Sequence, residues 1–441
     1  MTSPPALPAP ARLTQWERTG LAVFALVIVA FGALVVLRSA YQETRKTDFG
    51  VYARAAHAIR IGNDIYHKHT CDDNGWHYCY PPPFAILMVP LADPFHWEDR
   101  VGYLPFGVSV GIWYAISIGL AWFSVHQFAK YALPDAIPGS RRWWYARMVP
   151  VYVCIGGIGY TVSRGQVNVL LLALIAGMYA AAMQRRPIAS GAWLAGAIAL
   201  KVIPGFLILF PLVRREWRAA FGLALGSVVL LFILPASVWG IIGAIQNNLT
   251  FVDAVLAPGA LGTGDQTRAK ELTDTTSTDS QSFQSMIHNL RHPDPDTRPN
   301  TADSVTRLLH WAIGGVMTLV TLIVAWRQPR PTAADQLVFL GCLTAIMLLL
   351  SPVSHVHYYT LGLPLVAGLW LKSLDERPGR LVSSRDTLLM LIGWGTITTA
   401  ILLPYEVTSI SREYGAGTVA TVALWAFAVR ESSRKPVGIS W

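Results

Sequence analysis

The stretch "GAWLAGAIALKVIPGFLILFPLVRR" (Gly191–Arg215) holds one lysine, Lys201, in the middle of an otherwise apolar run. As a single helix, the run from 188 to 213 is long enough to cross a bilayer once. Charge argues for two pieces instead. Arg185 and Arg186 precede the run, and Arg214, Arg215 and Arg218 follow it. Both flanks carry the signature of the cytoplasmic side. Two short helices meeting near Lys201 return the chain to the side it started from, and Pro204 suits a break there.

The rest of the chain follows the same grammar. It has 441 residues, 53% of them hydrophobic and only 14% charged, against about 25% charged in soluble domains. The charges cluster, and apolar runs of bilayer length lie between the clusters. The sequence therefore predicts an all-α polytopic membrane protein, a single domain over 1–441. The net charge of +9 needs no nucleic acid to explain it, because cytoplasmic loops collect Lys and Arg. Arg12 and Arg18 precede a first apolar run that is too long for a signal-peptide core and has no clean cleavage site after it, so it reads as a retained span.

Twelve spans are predicted, at 19–38, 104–126, 148–163, 166–184, 188–200, 202–213, 219–236, 308–326, 336–352, 358–371, 387–404 and 414–429. Several are short or re-entrant. Both termini then face the cytoplasm. Two long loops, 39–103 and 237–307, and tight turns at 163–165 and 351–359 lie outside. The first loop holds an amphipathic helix and "YPPPFAILMVPLA", which is too short to span and reads as an interfacial or re-entrant piece. The second is partly mobile on composition, with "FQSMIHNL" able to form one or two helical turns.

Candidate chemistry sits on the outer side. Thr47 is a plausible N-cap and Gly62 a plausible stop for a short helix. Asp48 falls in its first turn, and Tyr52, Ala55 and Ile59 share its face. A carboxylate there can take a proton from an alcohol, but an acid in the first turn also favours the helix for its own sake. Lys201 costs at least about 2.5–3.5 kcal/mol at a bilayer centre, so a cavity and an anionic partner such as phosphate are expected. A lysine snorkelling to the interface is the plainer reading.

In "SRGQVN" (163–168), Arg164 can neutralise phosphate, and Gln166 and Asn168 can bond sugar hydroxyls; an ordinary polar turn is the alternative. In "SPVSHVHYY" (351–359), His355 and His357 can pair with phosphate or a sugar hydroxyl. The loop "HKHTCDDNGWHYC" carries His67, His69, Cys71, His77 and Cys79. Its spacing fits no structural-zinc pattern. A Cys71–Cys79 disulfide suits an oxidising outer face better, and no metal or cofactor is expected.

The segments "DFGVYARAAHAIRIGNDIYH", "YPPPFAILMVPLA", "GQVNVLLLAL", "ALKVIPGFLILFPLVRREWR", "SFQSMIHNLR" and "SPVSHVHYY" occur in this order. Together they resemble glycosyltransferase family 87, of the GT-C class, over roughly residues 15–430. The resemblance implies a GT-C fold and a polyprenyl-phosphate-sugar donor, with mannose the first choice of sugar. It implies a glycolipid or glycan acceptor among membrane lipids, and a site on the outer face of the plasma (inner) membrane. It implies Asp48 as general base, and Lys201, Arg164, His355 and His357 at the donor phosphate. Tyr52, Gln166, Asn168, Gln281 and Gln284 are the implied substrate-binding residues, although "SFQSM" departs from the more usual Asn-Gln-Ser form.

The chemistry agrees with the residues. A lipid phosphate is already a leaving group, so no nucleotide loop is needed. A single base with direct attack predicts inversion, and no second carboxylate is evident as a partner for Asp48. An arabinofuranosyltransferase is the alternative within the enzyme class. A lipid-sugar flippase or transporter is the alternative outside it, though transporters often show two related halves and none is visible here.

Overall fold

A computed structural model describes residues 11–41, 47–66, 76–95, 97–261, 274–276, 280–376 and 384–434. These residues form helices and no β-strand; one isolated bridge joins Arg12 and Ser140. Five helical segments are long and apolar enough to cross a membrane: Gln15–Tyr41, Phe106–Ala132, Trp217–Gly259, Ser304–Trp326 and Ala333–Leu350. Several carry their large apolar side chains outward, as at Leu26, Val29, Ile241 and Ile242. Exposed apolar faces of that size belong against lipid.

The Ala333–Leu350 helix is the exception, with 78% of its apolar window buried. It forms the centre of the bundle, packed on Leu363–Asp375. Gly341 allows the contact, since a Cβ there would lie 2.3 Å from the Leu365 Cα. The same device joins Pro187–Leu200 to Trp217–Val228, where a Cβ on Gly191 or Gly222 would strike the Ala219 or Ile188 carbonyl. Small residues at such crossings let backbones approach where the hydrophobic effect gives no drive between helices.

The break at Lys201 is present. The Pro187–Leu200 helix stops, Lys201 is extended (φ −157°, ψ 130°), and a 3₁₀ turn over Ile203–Ile208 leads into Leu209–Val213. Pro204 sits at the start of that turn, where its missing N–H costs nothing.

Other segments differ from expectation. The 148–163 run is two helices, Arg141–Val153 and Ile155–Arg164, hinged at Cys154. Pro150 and the glycines at 156, 157 and 159 weaken a continuous helix there. Residues 237–261, expected in the second outer loop, are helical. They continue the run from Trp217 through two π-helical turns and a bend at Gly240, whose φ is +71°. The N-terminal part of 358–371 is a 3₁₀ turn, Val356–Gly362, which gives way to the Leu363–Asp375 helix at Pro364. "FQSMIHNL", by contrast, is helical as the sequence suggests: Phe283–Arg291, capped by Ser282.

Candidate active site

The first outer segment folds around one short helix, Asp48–Arg60. Thr47 caps it, its hydroxyl accepting from the Gly50 N–H at 3.4 Å. Gly62 closes it in the left-handed conformation (φ +75°), and the Asn63 N–H reaches back to the Ala58 carbonyl at 2.8 Å. That is the glycine C-terminal closure expected from sequence. The "YPPPF" segment forms a second short helix, Pro82–Met88, packed against the first and burying Phe84, Ala85 and Met88. It is thus folded against the Asp48 helix.

A buried ionic cluster sits behind the Asp48 helix. Arg54 donates to the Asp93 carbonyl at 3.1 Å, lies 3.8 Å from the Asp93 carboxylate and covers the Phe95 ring. Arg100 reaches the same carboxylate at 2.6 Å. His57 lies 2.8 Å from Glu98 and 2.9 Å from the Tyr103 hydroxyl. Sequence reading passed over this cluster. Its signal was an arginine and a histidine on the apolar side of an amphipathic helix, with acids following in 93–98.

Asp48 pairs with Arg164, whose Nε donates to Oδ2 at 2.6 Å. Arg164 was expected at the donor phosphate, and the structure sets it on the carboxylate. It ends the Ile155–Arg164 helix, and Gly165 (φ +67°) turns the chain there. The guanidinium also lies 5.3 Å and 5.7 Å from the Trp76 and Tyr160 rings.

From Asp48 a line of tyrosines runs to Lys201. Tyr52, one turn on, gives its hydroxyl proton to Gln166 Oε1 at 3.0 Å. Its oxygen lies 3.0 Å from the Tyr80 hydroxyl. Burial, then the charge of Asp48, pushes the Tyr52 phenol well above its ordinary range, so it serves as a donor. The Lys201 ammonium lies 5.7 Å from the Tyr80 ring and donates to the Tyr358 hydroxyl at 2.5 Å. Neither Tyr80 nor Tyr358 was singled out from sequence, although both stand inside the quoted "YPPPF" and "HVHYY" motifs.

His355 and His357 stack with centroids 5.1 Å apart, and both rings meet Tyr358 edge-on. The His357 carbonyl is gripped by the Thr161 hydroxyl at 2.8 Å and the Asn168 amide at 3.2 Å. The His357 ring is buried, and its Nε2 has no hydrogen-bond partner among the described residues.

Three expected substrate-binding residues turn out to brace the site. Gln166 and Asn168 are buried, one holding Tyr52 and the other His357. Gln281 is fully buried, its amide joined to the Arg412 carbonyl and the Gly417 N–H. Gln284 differs. It lines a cavity of about 290 Å³ together with Lys201 and Tyr358. The cavity wall is mostly apolar, with Ile203, Phe251, Val255, Trp311 and Leu350 among its side chains. The Cys71–Cys79 pair falls on Cys71, which lies outside the described residues, as do His67 and His69. Among the described residues no group of three metal-ligating side chains occurs.

The sequence profile of Glycosyltransferase family 87 matches residues 78–352, more than half of the chain. The chain belongs to this family. As a family 87 glycosyltransferase with five apolar membrane-length helices, it is an integral membrane protein. It is 25% identical over 407 residues to a polyprenol-phosphate-mannose-dependent alpha-(1-2)-phosphatidylinositol mannoside mannosyltransferase of Mycobacterium tuberculosis, covering 87% of this chain and 83% of that one. It is 26% identical over 408 residues to a Mycolicibacterium smegmatis polyprenol-phosphate-mannose-dependent alpha-(1-2)-phosphatidylinositol pentamannoside mannosyltransferase, covering 91% and 84%. Among solved structures, ArnT from Cupriavidus metallidurans bound to undecaprenyl phosphate aligns at 16% identity. That alignment has a TM-score of 0.43 and covers 92% of this family 87 chain and 77% of ArnT.

Proposed function

We propose that the protein is an inverting mannosyltransferase that moves mannose from a polyprenyl-phosphate donor to a hydroxyl of a glycolipid or glycan. The site faces the extracytoplasmic side, within a twelve-span arrangement with both termini cytoplasmic. The observation that supports this best is the convergence of Asp48 and Lys201. They stand far apart in sequence, yet the Tyr52–Tyr80 contact carries one to the other, and Lys201 lines a mostly apolar cavity. Both family 87 relatives are named for a polyprenol-phosphate-mannose donor, and an apolar cavity with one ammonium suits a lipid carrying one phosphate.

In this reading the acceptor oxygen attacks the anomeric carbon and its proton passes to Asp48. The bond from that carbon to the phosphate oxygen breaks, and its electrons stay on the phosphate. Lys201 and the His355–His357 pair stabilise the charge that develops there. Arg164 holds the carboxylate in place. Direct attack by one nucleophile inverts the anomeric centre.

The test is purified protein with synthetic polyprenyl-phosphate-mannose or polyprenyl-phosphate-arabinose and a panel of lipid and glycan acceptors. Transfer from the mannose donor with inversion is the expected result. Transfer from the arabinose donor alone would assign an arabinofuranosyltransferase. Movement of the donor across vesicles with no transfer product would assign a flippase.

A further inference from the structure

Two side chains that the proposed mechanism does not use face the same cavity as Lys201. Arg307 and His310 lie one turn apart on the Ser304–Trp326 helix, and both line it, with Gln284. His310 is 1% exposed. Neither of its ring nitrogens makes a well-formed hydrogen bond among the described residues; the Leu350 carbonyl can engage at most one of them. Its ring packs edge-on to Trp311, with centroids 4.9 Å apart. A buried imidazole with no partner costs free energy unless a ligand supplies one. Arg307 is held at Nε by the Ala302 carbonyl at 3.0 Å, which fixes the plane of its guanidinium.

The cavity adjoins Lys201 but not the Asp48–Arg164 pair. Lys201 and Tyr358 line it, whereas Asp48 and Arg164 do not. A donor phosphate at Lys201 with its sugar toward Asp48 therefore has its chain, and one face of its phosphate, toward Arg307 and His310. The charge changes during transfer. The donor is a phosphodiester with one negative charge. When the bond to the anomeric carbon breaks, the oxygen keeps the electron pair and the product is a phosphomonoester with two. Lys201 matches the first charge.

We propose that Arg307 and His310 form a second arm of the phosphate site that matches the charge gained on transfer, so that it binds the departing prenyl phosphate more strongly than the intact donor. This rests on the donor reading above. Groups that meet charge only as it develops raise the rate of the chemical step more than they tighten the substrate.

The experiment compares binding of a short-chain prenyl phosphate and of the corresponding prenyl-phosphate-mannose to detergent-solubilised full-length protein, with turnover measured alongside. In Arg307→Gln and His310→Ala, affinity for the prenyl phosphate should fall about tenfold or more, in line with loss of a charged hydrogen bond. Affinity for the intact donor should change less than about threefold, and turnover should fall with the product's affinity. Arg307→Lys should restore part of the loss, and unchanged melting temperatures identify folded variants. Equal losses for both ligands, or none for the prenyl phosphate, overturn the second arm. Wild-type protein that binds neither ligand overturns the donor reading itself; wild-type protein that binds both, with Lys201→Ala impaired and these variants normal, overturns this inference alone.

Discussion

Behind Asp48, the helix is locked by polar groups that find each other: Arg54 and Arg100 with the Asp93 carboxylate, and the His57 ring with Glu98 and Tyr103. Beyond Lys201, the cavity has mostly apolar walls, and His310, a buried imidazole with no well-formed hydrogen bond among the described residues, lines it. In the proposed mechanism the two regions have two jobs. A general base must keep its aim within a fraction of an ångström, and a satisfied polar network gives that rigidity. A lipid site must admit a long, apolar ligand and keep its polar groups for the one charged end.

The sharpest way to break this comparison is at the base. Asp48→Asn keeps the shape of the side chain and removes its ability to take a proton. Turnover should fall by about 10²–10⁴-fold with donor affinity nearly intact. Near-normal turnover in a folded Asp48→Asn protein would remove Asp48 from the mechanism.

The cluster behind the base comes next. Arg54→Ala leaves Asp93, 1% exposed, short of one of its cations. Breaking a buried pair from one side typically costs about 3–5 kcal/mol. The melting temperature should drop, and turnover should fall even where the protein stays folded. Full stability in Arg54→Ala would mean that the cluster does not hold the helix.

On the lipid side, Lys201→Ala should weaken donor binding roughly tenfold to a hundredfold, the scale of a charge-assisted hydrogen bond, and slow turnover with it. Normal donor affinity in this variant would move the phosphate elsewhere. The Cys71–Cys79 pair tests the outer loop between the two regions. Intact mass with and without reductant should show one disulfide, whose loss costs about 2–3 kcal/mol. Two free thiols in protein purified without reductant would exclude it.

Much of this was legible in the sequence, and the reasons are specific. The break at Lys201 could be read because charge on both flanks and Pro204 act locally. The Asp48 helix could be read because Thr47 and Gly62 mark its ends. What stayed hidden depends on contacts between distant segments. Arg164 looked free for phosphate, and nothing in "SRGQVN" reveals that a carboxylate 116 positions away takes its guanidinium. Gln281 looked like a sugar ligand until its amide was found between Arg412 and Gly417. The helical run through 237–261 was hidden for another reason: Gly240 and polar Asn247 and Asn248 read as a loop, whereas the asparagine amides bond to carbonyls of the same run.

The smallest expected effect is the response to acid, and it separates the two regions by their histidines. Burial pushes the His357 imidazole well below the ordinary histidine range, and the charges of His355, Lys201 and Arg164 push the same way. In the Asp48 region, burial also lowers His57, but Glu98 beside it pulls upward. A histidine lowered in the folded state binds its proton first in the unfolded chain. Its contribution to stability is therefore complete above about pH 6.5, the ordinary histidine value, and is lost as the pH falls below that. The melting temperature should decline from there, with His357 contributing more of the slope than His57, since no carboxylate offsets its burial. His357→Gln keeps a polar side chain in the pocket and removes the titration, so it should flatten the decline. His57→Gln should flatten it less. Identical slopes in wild type and His357→Gln would mean that the imidazole is protonated in the folded protein at little cost, and the contrast between the His57 ring beside Glu98 and the His357 ring among cations would fail at that residue.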